Sequence, residues 1–436
     1  MALLKVIENR IEILDDRLLN HHICKEFEAF YFNDHIINCS FKELFSLPEN
    51  KFCGLIIKDN RIFIFRDRFS PIPLYYNKTN SSEWFVSERF SNLKNFFCHK
   101  KVTKSRFLKI KNGNTDDLSD TFFKKIKRVI PGKMIQCANE KVFNVKKRID
   151  DVNGFEYDFK SIIKNETIKK GSYATLLSEG ADSGAVSYTL KELRIKNKNY
   201  SIIFDKESET IIKSRDEDVI SFYPEELKDY ISGKGFESIE YDFNPNANMF
   251  IPVLKKMKKD GITDVFMGVG GDEIHGSDFP VSFFWDCIIR GYFDQLRFSR
   301  KFFLFVLLNY PKGIHRGSFL KYQINRVINS NFLIFNLEKI WKFFIEYGIY
   351  VHFPFYDSRL INNIMNSSIL DIVKFNKESG YLIKQKDLLF LNTVYRKRNF
   401  LDIILSELEL TREDYKEWLD ERAWHLFKKE LENLCK

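Results

Sequence analysis

At 436 residues the chain is too long for one ordinary core, and 44% hydrophobic against 30% charged residues excludes a disordered composition. The apolar run Phe302–Leu308 falls well short of the roughly 18–20 residues that span a bilayer, and Lys5, Glu8 and Arg10 interrupt any signal-peptide core, so a cytoplasmic protein with no membrane contact is expected. A net charge of +9 points to acidic partners such as nucleotides, nucleic acid or an acidic peptide, although lysines spread along the whole chain also fit a solvated surface.

The first 145 or so residues read as β-rich. Phe52–Lys58, the turn Asp59-Asn60 and Arg61–Arg66 predict a hairpin, and Tyr75-Tyr76, Trp84–Val86 and Lys133–Cys137 predict further short strands, the last entered through a Pro131-Gly132 turn. Lys146–Lys160 is polar, contains Gly154 and reads as a linker. Beyond it, strands and helices alternate, which is the signature of a parallel sheet with crossover helices. The expected strands are Tyr173–Leu177, Tyr200–Phe204, Glu237–Tyr241 and Val265–Met267, with helices over Ala185–Leu193 and Val219–Ser232 and a mainly helical chain after about Phe283.

Seven cysteines, at 24, 39, 53, 98, 137, 287 and 435, form no CxxC pair and have no clustered histidine, so neither a disulfide framework nor a zinc site is supported and they read as small buried hydrophobes.

Two motifs carry chemistry. In Leu177-Ser178-Glu179-Gly180-Ala181-Asp182-Ser183 a strand passes into a helix, so backbone N–H groups and a helix N-terminus converge on one point that attracts phosphate. The small residues Ser178, Gly180 and Ser183 let an anion approach, and Asp182 can hold a magnesium ion. A plain turn capped by Ser183 is the alternative. Further along, Val265-Phe-Met-Gly268-Val-Gly270-Gly271-Asp272-Glu273 is another strand ending in a glycine-rich acidic turn. In an open parallel sheet two such ends can lie side by side, so Asp182 and Asp272 could share one magnesium (Mg2+).

The first motif resembles the SGGxDS pyrophosphate loop of ATP pyrophosphatase-type enzymes, and the second resembles the GxGxDE signature of asparagine synthetases. Glu179 stands where that family has Gly: a carboxylate about 5 Å from a phosphate charge would cost roughly 3 kcal/mol at an effective dielectric near 20, and a residue forced to positive φ on the order of 1–2 kcal/mol more. Val269 occupies a position that is glutamate in asparagine synthetases and tyrosine in β-lactam synthetases. By resemblance, Leu177, Ile202 and Gly268 frame the adenine and ribose. Val351-His352-Phe-Pro354-Phe-Tyr-Asp357 resembles the family's RxPFLD segment with His352 for Arg, and Tyr395-Arg396-Lys397-Arg398-Asn-Phe400 its KxxF segment, which makes Lys397 the candidate catalytic cation.

Towards the N-terminus, Arg66-Asp67-Arg68-Phe69, Pro73-Leu74-Tyr75-Tyr76, Ser87-Glu88 and Pro131-Gly132 resemble the glutaminase domain of class II amidotransferases, but Ala2 replaces the cysteine nucleophile of that domain. The resemblance, from about Cys53 to Phe400, therefore implies an α/β protein in two parts. Residues 1–150 would be a degenerate, Ntn-like α+β sandwich. Residues 160–436 would be a doubly wound, ATP pyrophosphatase-type synthetase domain with a helical C-terminal part. The implied activity is ATP- and Mg-dependent adenylation of a carboxylate, then its capture by an amine, without glutaminase activity. A lasso-peptide cyclase-like macrolactam former fits best, acting on a peptide that carries both groups and served by a partner leader peptidase or recognition protein. Alternatives are a small-molecule ligase, a tRNA-modifying enzyme and an inactive partner protein; nucleic acid is the less expected ligand.

Overall fold

The computed structural model of the chain describes residues 2–7, 10–16, 20–23, 27–31, 53–80, 82–96, 102–112, 115, 117–145, 159–167, 171–236, 238, 244–271, 331–361 and 400–435. Its first part is built on two antiparallel sheets. β1 (Ala2–Ile7), β2 (Arg10–Asp16), β7 (Tyr75–Lys78), β8 (Trp84–Ser87) and β9 (Lys127–Arg128) form one, in the order β2-β1-β8-β7-β9. β3 (Asn20–Ile23), β4 (Glu28–Tyr31), β5 (Cys53–Lys58), β6 (Arg61–Arg66), β10 (Lys133–Gln136) and β11 (Val142–Asn144) form the other, in the order β11-β10-β6-β5-β4-β3. The expected hairpin is β5–β6, and Asp59 and Asn60 both take positive φ, 51° and 57°, the conformation of a tight primed turn that Asp and Asn tolerate.

Period-two alternation decides which way each side chain faces. Along β6, Ile62 and Ile64 join Leu4, Val6, Trp84 and Val86 of the other sheet in one shared core, while Phe63 and Phe65 face a second cluster with Phe27, Ala29 and Tyr31. Between the sheets' strands the chain forms a helix, α1 (Lys104–Lys111), capped where the Thr103 hydroxyl accepts from the Arg106 amide at 3.3 Å.

Of the expected linker, 146–158 lie outside the described residues, and Phe159 already opens α2 (Phe159–Glu166). The second part follows as β12 (Tyr173–Leu176), α3 (Ala181–Glu192), β13 (Asn197–Ile202), α4 (Lys206–Arg215), β14 (Ile220–Phe222), α5 (Pro224–Ile231), α6 (Ile251–Lys259), β15 (Asp264–Phe266), α7 (Asn331–Ile345), β16 (Tyr350–His352), α8 (Phe400–Leu408) and α9 (Arg412–Cys435). Its five strands pair in parallel in the order β14-β13-β12-β15-β16. The chain is thus a mixed α/β protein, β-rich at first and then a parallel sheet with helices.

Three expectations need correction. The helix expected over Val219–Ser232 is a strand, β14, followed by α5. Pro224 has no N–H to give and starts the helix at its first turn, and β-branched Val219 and Ile220 suit the strand before it. The helix after the first glycine loop begins at Ala181, not Ala185, so Asp182 and Ser183 lie in its first turn. β16 adds a fifth strand that the reading of a mainly helical C-terminal part missed. The expected strand Glu237–Tyr241 lies, except for Ser238, outside the described residues. No helix among the described residues is long and apolar enough to cross a membrane.

Candidate functional site

The order of the parallel sheet fixes where a cleft opens. From β12 the chain crosses by α3 to β13 on one side, while β15 pairs on the other, so the carboxyl ends of β12 and β15 flank the point where strand order reverses, the place at which open parallel sheets take ligands. Ile202, Leu177 and Gly268 stand at the ends of three adjacent strands. The ladder runs one residue past the ends of β12 and β15, with the Leu177 amide donating to the Tyr200 carbonyl at 2.9 Å and the Met267 amide to the His352 carbonyl at 3.1 Å.

The loop after β12 is knitted together by its own hydroxyls. Ser183 Oγ accepts from the Ser178 amide at 3.0 Å, lies 2.8 Å from Ser178 Oγ and is 3.2 Å from the Gly180 carbonyl; Ser178 Oγ accepts from the Gly180 amide at 3.2 Å. Ser183 is therefore not the cap of α3. Gly180 holds that place, at φ −64° and ψ 150° with no side-chain cap bond, and Ser183 secures the loop from inside the first turn. The first N–H groups of that turn have no intrahelical acceptor and lie at the end of the helix where the macrodipole favours negative charge.

Glu179 escapes the backbone penalty expected of it, and its carboxylate has a partner in the fold. Its φ is not among the positive values of the chain, and the Ser208 hydroxyl of α4 donates to its Oε1, so the side chain is held by α4.

The two glycine motifs are packed on each other. A Cβ on Gly271 would lie 2.2 Å from Asp182 Cγ, and one on Gly268 would lie 2.6 Å from the Ser183 nitrogen, both far inside van der Waals contact. Gly270 has φ +96°, which only glycine adopts readily, and turns the chain so that the Gly271 amide donates to the Gly268 carbonyl at 3.2 Å. Asp182 is thus seated against Gly271. Asp272, the next residue, and Lys397 with its neighbours Arg396 and Arg398 lie outside the described residues. Among the described residues no group of three or more His, Cys, Asp or Glu side chains could hold a metal. Of the expected magnesium ligands, the fit can be read at Asp182 alone, where a small backbone leaves the carboxylate its place.

Other sequence candidates have structural employment. Val269 is half-buried and packs against the main core, with no acid–base chemistry to offer. His352 is buried, with Nε2 2.9 Å from Asp264 Oδ1 and Nδ1 3.3 Å from Glu166 Oε2, and stacks on Phe266 at 4.5 Å between ring centroids. Burial lowers its pKa, but the hydrogen bonds and charges of Asp264 and Glu166 outweigh it and the net shift is upward. Asp357 is buried and holds Arg359 through Nε and Nη2, both at 2.9 Å. Two cysteines, Cys53 and Cys137, are buried and free; burial pushes both thiols up, that of Cys137 to about 12, so neither supplies a thiolate.

Sequence reasoning missed the residues of α4 that hold the loop. Arg215 Nη1 donates to the Ser178 carbonyl at 2.8 Å and the Gly180 carbonyl at 2.9 Å, and Nη2 to the Glu179 carbonyl at 2.6 Å. A signal for this helix was there: Asp205 caps it by accepting from the Ser208 amide at 2.9 Å, acids at 207 and 209 open it and bases at 213 and 215 close it. A cavity of about 610 Å³, lined by Leu177, Ser187, Tyr188, Asn197, Asn199 and Arg215 among others, flanks the loop between α3, β13 and α4.

Compared with curated proteins, the chain as a whole matches none. A minor part of it, residues 55–147 from β5 to just past β11, matches the family of the glutamine amidotransferase domain, which suggests an enzyme of amidotransferase type and fits the N-terminal domain of asparagine synthetase-like proteins.

Proposed function

We propose that the chain is an ATP- and Mg-dependent ligase that forms carbon–nitrogen bonds, adenylating a carboxylate with loss of pyrophosphate and passing the acyl group to an amine with loss of AMP. The observation that carries this reading is the seating of Asp182 and Ser183 on Gly271 and Gly268, which joins the two motifs at the switch point of a parallel sheet. In this reading Leu177, Ile202 and Gly268 take the adenosine. Ser178, Gly180 and Ser183 take the pyrophosphate, while Gly270 and Gly271 leave room for it. Asp182 and Asp272 would hold magnesium, which supplies positive charge to the phosphate oxygens when bound. Lys397 would stabilise the charge of the departing AMP, a role typically worth a few kcal/mol.

Residues 1–150 are then a degenerate amidotransferase-like domain and 160–436 the synthetase domain. The amine comes from the substrate, which agrees with the buried, protonated thiols of Cys53 and Cys137. Within this class we favour a lasso-peptide cyclase-like macrolactam synthetase of peptide natural-product biosynthesis, working with a leader peptidase or recognition protein. The +9 charge suits a peptide substrate, and Val269 lacks the acyl-centre chemistry of the asparagine or β-lactam enzymes.

Titration calorimetry with ATP, in magnesium and then in excess chelator, tests the core of the reading: magnesium-dependent binding is expected, and its absence overturns the enzyme. Mass spectrometry of a precursor peptide incubated with the chain, its protease and ATP tests the finer part. A product lighter by one water is expected, and AMP without such a product argues for a small-molecule ligase.

A further inference from the structure

We propose that Arg215 is the positioning residue of the phosphate-facing loop, acting through backbone carbonyls, with the Glu179–Ser208 contact as its second anchor; the ligand half of this inference rests on the ATP reading above. Three consecutive carbonyls, those of Ser178, Glu179 and Gly180, accept from one guanidinium. In a planar trans peptide the C=O and the following N–H point in opposite directions. Fixing these carbonyls towards Arg215 therefore turns the amides of Glu179, Gly180 and Ala181 the other way. The Gly180 amide is taken by Ser178 Oγ, which leaves the Glu179 amide for an anion beside the first turn of α3.

The helix α4 grips the loop from both of its ends. Ser208, in its first turn, donates to the Glu179 carboxylate, and Arg215, its last residue, reaches the carbonyls. A glutamate in a glycine position is in this way a tether: it ties the loop to α4 and leaves the phosphate side to backbone amides. The fork of the guanidinium suits this task better than an ammonium, whose charge is a point with no fixed plane.

Arg215→Met, Arg215→Lys and wild type, each as the full chain, separate the parts of the proposal. Hydrogen exchange without ligand reads the clamp. In Arg215→Met the amides of 178–184 are expected to exchange at least tenfold faster while those of β12 and α6 stay unchanged; unaltered exchange in the loop overturns the clamp. Calorimetry reads the ligand side. Arg215→Met is expected to weaken magnesium pyrophosphate and magnesium ATP at least tenfold and adenosine less than twofold, with Arg215→Lys recovering only part. Equal loss for adenosine and pyrophosphate, together with a lowered Tm, reduces Arg215 to a structural residue and overturns the positioning role. A wild-type chain that binds neither phosphate ligand overturns the ATP reading and the ligand half with it, and the exchange result still decides whether the clamp exists.

Discussion

His352 is a buried imidazole between two acids from different elements, Asp264 on β15 and Glu166 on α2. Its folded pKa is raised above the ordinary 6.5, so the folded state holds the ring's proton more tightly than the unfolded chain does. That stabilisation is complete below about pH 6.5 and is lost as pH rises through the higher folded value. Wild type is therefore expected to exceed His352→Gln in Tm most at pH 5.5–6, with the gap narrowing as pH rises through the folded value; a gap that widens with pH refutes the assignment. A histidine at this position can lose its proton within the pH range of the experiment, where an arginine would not.

At the scale of elements, α7 is fastened to the sheets of the first part by charge as well as by packing. Arg66 Nη1 is 2.6 Å from Glu338 Oε1, Arg128 Nε 3.4 Å from Oε2, and all three side chains are buried. Burial alone would raise the pKa of Glu338, but Arg128, Arg66 and Lys342 together hold it below the usual carboxylate value. Arg128 also lies over the Phe335 ring at 4.3 Å, Lys342 donates to the Tyr75 hydroxyl at 3.2 Å, and Arg89 meets Glu346 at 2.7 Å. Removing one partner of such a set leaves buried cations without their counter-charge. Glu338→Gln is expected to destabilise the chain by about 3–5 kcal/mol in urea unfolding, and a loss under about 1 kcal/mol would show that the cations find other partners or water.

On the scale of the whole molecule, one apolar core runs between the two parts. It takes Phe69, Tyr75 and Phe90 from the first, Val186, Val265 and Val351 from the parallel sheet and its helices, and Phe427 from α9. Phe427 is buried among Phe107, Phe122 and Phe123, at 4.6, 5.1 and 6.3 Å between ring centroids, so the last helix closes the core over α1. Phe427→Ala is expected to cost about 3–5 kcal/mol in urea unfolding, although it lies far along the chain from the segment it covers. The exposed Lys104–Glu421 pair between the same helices is the control, and its loss in Glu421→Gln is expected to cost under about 1 kcal/mol.

Local rules were enough for much of this molecule. The β5–β6 hairpin follows from two short apolar runs and a turn pair that tolerates positive φ, and β12 and β15 follow from apolar runs that end in small residues. Residue type also decides that Gly268, Gly270 and Gly271 form a turn that other backbones could approach. What approaches them is a tertiary matter: that Asp182 is the group seated on Gly271 depends on strand order, which no local periodicity encodes. The same holds for Glu179, whose charge looked adverse because its partner, Ser208, comes from α4, and for Arg215, Glu338 and Glu166, whose partners are brought to them across the fold. Sequence spacing sets which groups can form a strand, a turn or a cap. Only the packing of those elements sets which charges meet, because a pair far apart in the chain is chosen by the core that buries it.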